Sequence, residues 1–127
     1  MGMLLSNMDE NTTVNNLKVM VKAFVEERDW DQFHNAKDLA IGVSTEAGEL
    51  LDIFRFKSKE DIDEMLSSDE KRQEIGDELA DVLYFILRFS DKFNFDLSDE
   101  LSRKMLLNAR KYPAEKSKGS NRKYNEI

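Results

Sequence analysis

Residues 69–93 read DEKRQEIGDELADVLYFILRFSDKF, and this stretch decides the fold. Ile75, Leu79, Val82, Ile86, Phe89 and Phe93 alternate spacings of four and three, the repeat of one helix face. Ser67-Ser68-Asp69 supplies a cap before the run, and Asn94 closes it. Against this apolar stripe sit Glu78 and Asp81, three residues apart and so side by side on a helix. The pattern recurs upstream, where Glu46-Ala47-Gly48-Glu49 lies among Leu39, Val43, Leu50, Leu51 and Phe54. Like charges beside a core are costly to bury or are forced to protonate. A hard divalent cation held by oxygens from two neighbouring helices removes that cost. A single E-x-x-E on an acidic chain is as readily a solvated face; two such pairs, each against an apolar stripe, favour the metal. Gly48 and Gly76 are expected to let a ligand or a neighbouring backbone come close, or to serve tight helix packing alone.

The remaining elements follow from the same signals. Thr12 or Thr13 caps a first helix to about Arg28, with Val14, Leu17, Val21, Phe24 and Val25 on its apolar side. A connector with the sole Trp and sole His, Trp30 and His34, leads to a second helix from about Ala36 to Phe54. Packing is the ordinary use of such residues, although His34 could also meet a phosphate or a base edge. At Phe54-Arg55-Phe56-Lys57 aromatics alternate with cations, a pattern that suits a stacked base and its phosphates as well as a solvated helix end. Ser58-x-x-Asp61 is a capping box for a short helix to Leu66. Asp96 or Ser98 caps a last helix running to Lys111, before Pro113. The expected fold is all-α, a four-helix bundle with a short extra helix and a polar C-terminal tail. Residues 1–113 are expected to form one helical domain that carries both acid pairs. Residues 114–127 form a locally basic tail whose default is disorder and which could complete the active site.

With 127 residues, 40% of them hydrophobic and eight of them Phe, the chain is one folded domain. A single Pro agrees with nearly continuous helix, and the absence of Cys excludes disulfide and thiol chemistry and points to a reducing cytoplasm. The apolar patch Met3-Leu4-Leu5 is too short for a signal peptide or a membrane span. A net charge of −7 argues against a nucleic-acid surface but not against an anionic ligand held through a metal.

Four carboxylates from two helices suit Mg²⁺, or Mn²⁺, which keeps positions open for water and substrate phosphates. A carboxylate not engaged by metal could take a proton from the attacking water. A di-iron carboxylate bundle would need two Glu-x-x-His motifs, and the one His lies outside both acid pairs. Glu46-x-x-Glu49 followed at long spacing by Glu78-x-x-Asp81 resembles the MazG-like all-α nucleotide pyrophosphohydrolases, in particular the single-domain dCTP-pyrophosphatase type. Trp30-x-x-Phe33-His34, Lys37-Asp38-Leu39-Ala40, Asn108, Tyr112-Pro113 and Ser117-x-Gly119-Ser120-x-x-Lys123-Tyr124 are similar to segments of that group, so the likeness runs from Trp30 to the C-terminus.

The resemblance implies hydrolysis of a (d)NTP, with a pyrimidine or modified deoxynucleotide expected, to monophosphate and pyrophosphate. It implies metal ligation by Glu46, Glu49, Glu78 and Asp81, with Glu46 and Glu49 as catalytic residues. Trp30, His34 and Phe56 would line the base and sugar pocket, with Lys37 and Phe85 beside them. Asn108, Lys116 and Lys123 would be phosphate or pocket contacts, and the assembly a homodimer or homotetramer. The chain departs from the pattern at Thr45, where many members carry a glutamate. It departs also at Phe56, often Trp, at Phe85, often Tyr, and at Asp38, which replaces an Asn. The alternative function is a nucleotide-sensing or regulatory bundle without catalysis.

Overall fold

The computed structural model describes residues 8–126, so the Met3-Leu4-Leu5 patch lies outside the described residues. Among these there are six α-helices and no strand. They are α1 (Val14–Glu27), α2 (Ala36–Phe54), α3 (Lys59–Ser67), α4 (Asp69–Lys92), α5 (Leu97–Lys111) and α6 (Ala114–Ser117). Short 3₁₀ turns lie at Asp9–Asn11, Asp31–Phe33 and Tyr124–Glu126. The all-α fold is the one the periodicity predicts. None of the helices is long and apolar enough to cross a membrane.

Side-chain caps set the starts of the long helices. The Thr13 hydroxyl accepts from the Asn16 amide and the Asn35 carbonyl oxygen from the Asp38 amide, while Ser68 and Asp96 do the same for α4 and α5. Ser58 and Asp61 form the reciprocal capping box expected at α3. Beyond the helix ends the chain turns through left-handed residues, Asp29 after α1 and Asn94 after α4. These short polar side chains tolerate that conformation. Phe56 also adopts it, with φ 66°, just beyond α2. There a bulky side chain is strained, and its ring is 91% exposed with the Arg55 guanidinium 4.6 Å from the centroid.

The chain forms two compact units that divide between Asn94 and Phe95. In the first, α4 is the central element and packs against α1, α2 and α3, most extensively against α2. Its buried core includes Val25, Leu39, Ile75 and Leu87. Gly42 permits the close approach of α2 to α4, because a Cβ there would stand 2.5 Å from the Phe85 ring. The sequence assigned this role to Gly48 and Gly76. Neither has it: a Cβ at Gly48 meets nothing within 4 Å, and at Gly76 only the Gln73 amide at 4.0 Å. In the second unit α5 is followed by Pro113, α6 and the last 3₁₀ turn, so the described part of the tail holds local structure where composition alone suggested none.

Candidate active site

Helices α2 and α4 bring the two acid pairs together. One carboxylate oxygen from each of Glu46, Glu49 and Glu78 lies within 4.8 Å of the others. Asp81, one turn beyond Glu78, is close enough for its charge to act on both Glu46 and Glu78. Burial first, and then the charges of Glu49 and Asp81, raise the Glu46 carboxyl above the usual glutamate range. Burial, followed by Glu49, Glu46 and Asp81, does the same to Glu78. Oε2 of Glu46 and Oε2 of Glu78 are buried and meet no donor group among the described residues, the two carboxyls lying close enough to share a proton with each other. Buried polar atoms are almost always partnered, and acceptor-only oxygens converging from two helices fit an oxygen-seeking divalent cation. The donor set holds no sulfur or imidazole, which favours a hard ion over zinc or copper.

The acid cluster opens onto a cleft of about 550 Å³ lined by α1, α2 and α4 and by Trp30 and His34, which flank the Asp31–Phe33 turn. Glu46 and Asp81 form its anionic side. Its other walls are Met20, Val21, Phe24, Trp30, Tyr84 and Phe85, with His34 among them. The rings brace one another edge to face: Phe24 on Trp30 at 5.7 Å, Phe24 on Tyr84 at 6.1 Å, and Tyr84 on Phe85 at 5.0 Å. The aromatic walls suit a flat apolar group lying beside the acid cluster.

Behind His34 lies a charged network built on Arg88, a residue of α4 only 4% exposed. Arg88 Nε donates to Nδ1 of His34 at 3.0 Å, and Nη2 donates to the Asp31 carboxylate. Lys92 Nζ reaches the Asp31 backbone oxygen at 2.8 Å and Oδ1 at 3.1 Å. The lysine contact first, and the two cationic charges after it, lower the Asp31 pKa. Partial burial leads in lowering that of His34, reinforced by the charges of Arg88 and Lys92.

Of the residues expected to touch substrate, Trp30, His34 and Phe85 line this cleft. Phe56, exposed beyond the end of α2, and Lys37, exposed in its first turn, do not. Asn108, half-buried in α5, Lys116, exposed in α6, and Lys123, whose amide donates to Glu126 Oε2 at 3.1 Å, all belong to the second unit. Sequence reasoning passed over Phe24, Tyr84 and Arg88 as site residues. A signal was available for two of them: Asp81, Tyr84, Phe85 and Arg88 stand at i, i+3, i+4 and i+7, so the acidic face of α4 continues into the cleft wall.

The profile of the MazG-like family matches residues 41–127. Human (Homo sapiens) dCTP pyrophosphatase 1 is 32% identical over 115 residues, which span 91% of this chain and 68% of that protein. The bovine (Bos taurus) protein of the same name is 31% identical over a stretch of the same length. The crystal structure of a pyrophosphatase from Archaeoglobus fulgidus superposes with a TM-score of 0.71 at 32% identity. That match covers 89% of this chain and 98% of the archaeal one.

Proposed function

The chain belongs to the MazG-like family, and from that premise we propose that it is a divalent-cation-dependent nucleoside triphosphate pyrophosphohydrolase. Its class is that of the nucleotide pyrophosphatases, hydrolases that cleave a phosphoanhydride. The substrate we propose is a pyrimidine deoxynucleoside triphosphate, dCTP or a modified relative, converted with water to the monophosphate and pyrophosphate. The observation that carries the reading is the pair of buried oxygens that meet no donor group, on Glu46 and Glu78, beside an aromatic cleft.

Glu46, Glu49, Glu78 and Asp81 would hold Mg²⁺ or Mn²⁺. When bound, the ion neutralises polyphosphate charge and acidifies water. The chain's own groups do the rest. Trp30, Phe24, Tyr84 and Phe85 stack on the base and exclude water from it. The juxtaposition of cleft and acid cluster turns the phosphates toward the carboxylates. Glu49, exposed to solvent as Asp81 is, takes the proton of the water that attacks the α-phosphorus on a carboxylate oxygen not engaged by the ion. Glu46, the second proposed catalytic carboxylate, faces the cleft. Phe56, Lys37, Asn108, Lys116 and Lys123 remain proposed substrate contacts on the strength of the family resemblance alone, as does the division into a catalytic domain and a tail at Pro113. We propose further that the chain works as a homo-oligomer.

Thermal unfolding with and without MgCl₂ or MnCl₂ tests the metal site. The native site alone binds the ion, so saturation to about 100 times the Kd should add about 2.7 kcal/mol. Glu78→Gln should remove most of that gain. Equal melting of the wild type with and without either cation would refute the reading.

A further inference from the structure

His34 is the only histidine of the chain, and its ring forms part of the cleft wall. Its Nδ1 stands 3.0 Å from Nε of Arg88. An arginine Nε carries a hydrogen at every accessible pH and can only donate. Nδ1 is therefore the bare, accepting nitrogen, and in the neutral ring the hydrogen resides on Nε2. The guanidinium that imposes this is itself held: Asp31 takes Nη2, Asp91 lies 3.8 Å from Nη1, and Lys92 holds Asp31 from the other side.

Resting on the nucleotide reading above, we propose that Arg88 is a positioning residue that fixes His34 as a neutral Nε2–H donor to the nucleoside part of the substrate. The surrounding charges agree with a neutral ring. Partial burial and the cations Arg88 and Lys92 disfavour imidazolium, opposed by Asp31, while Glu46 and Asp81 line the same cleft. A neutral imidazole is no counter-ion for phosphate. It offers one N–H donor, in a cleft whose other walls are aromatic, aliphatic and carboxylate side chains, and so selects a carbonyl, a ring nitrogen or a sugar oxygen. A substrate presenting a hydrogen there leaves two donors facing each other, which polar sites reject strongly.

A single histidine makes the test direct. In ¹⁵N spectra of the labelled full chain, the ring gives one pair of nitrogen signals. The expected result is a bare Nδ1 and a protonated Nε2 at neutral pH, with a titration midpoint below 6.5. Arg88→Met should raise that midpoint, mix the tautomers, and raise KM for the preferred nucleotide about tenfold, one hydrogen bond's worth, with kcat changed less. Lys92→Met leaves the Arg88–His34 bond in place and should keep the tautomer. Protonated Nδ1 in the wild type would overturn the proposal, and this measurement needs no variant to fold. An Arg88→Met chain with unchanged spectrum or unchanged KM would overturn it too. The spectrum does not depend on turnover: a bare Nδ1 in a chain that hydrolyses nothing would refute the nucleotide reading and leave the Arg88 lock standing, whereas protonated Nδ1 in an active enzyme would do the reverse.

Discussion

Glu78 shows how a residue can be misplaced for stability and well placed for chemistry. Its carboxyl is held above 4.5 by burial and by three neighbouring acids. A carboxyl whose folded pKa is raised binds its proton more tightly in the native state than in the unfolded chain. Metal-free stability should therefore fall as pH rises from 4.5 through the folded value, and stay reduced above it. Glu78→Gln carries no such charge. It should melt higher than the wild type at neutral pH without metal, and the gap should close as pH drops toward 4.5. Melting curves of the two proteins across that range, in chelator, check the prediction. A gap independent of pH would mean that the gain comes from packing and not from charge.

At the level of elements, the packing of α2 on α4 sets both the acid cluster and the cleft. Gly42→Ala would drive a methyl into the Phe85 ring, an overpacking that costs about 1–3 kcal/mol against about 1 kcal/mol of improved helix propensity. The net expectation is lower stability together with weaker nucleotide binding, since Phe85 lines the cleft. Gly48→Ala meets open space and should stabilise by about 1 kcal/mol. Denaturant unfolding of the two variants separates them, and equal effects would count against the described α2–α4 approach. The helix starts were legible because Thr13, Ser58 and Asp96 announce themselves locally. The acid pairs were legible because a spacing of three puts both groups on one face. The glycine that matters was not: which face of α2 meets α4 depends on side chains forty residues away, as with Gly42 and Phe85. The Arg88–His34 bond, spanning 54 positions, likewise leaves no periodic trace. The alternation of aromatics and cations at 54–57 singles out Phe56, but not the left-handed turn past the end of α2 that sends its ring outward.

At the scale of the whole molecule, the described residues leave much apolar surface uncovered. Val19, Phe33, Ile41, Leu51, Leu79, Leu101 and Leu106 are each at least half exposed, while the buried hydrophobic core among described residues is Val25, Leu39, Ile75 and Leu87. A second copy would cover such apolar surface, which is why a homo-oligomer is part of the proposed function. Sedimentation should give a mass of two or four times the 14.8 kDa chain, and a stable, active monomer would contradict that part. The central claim is catalysis at the Glu46–Asp81 cluster. Its most direct test is pyrophosphate release with Mg²⁺ across canonical and modified (d)NTPs, with Glu49→Gln in parallel. Turnover led by a pyrimidine deoxynucleotide is expected, with a loss of about 10²–10⁴-fold in the variant. Turnover of no nucleotide by the wild type, or undiminished turnover by Glu49→Gln, would contradict it.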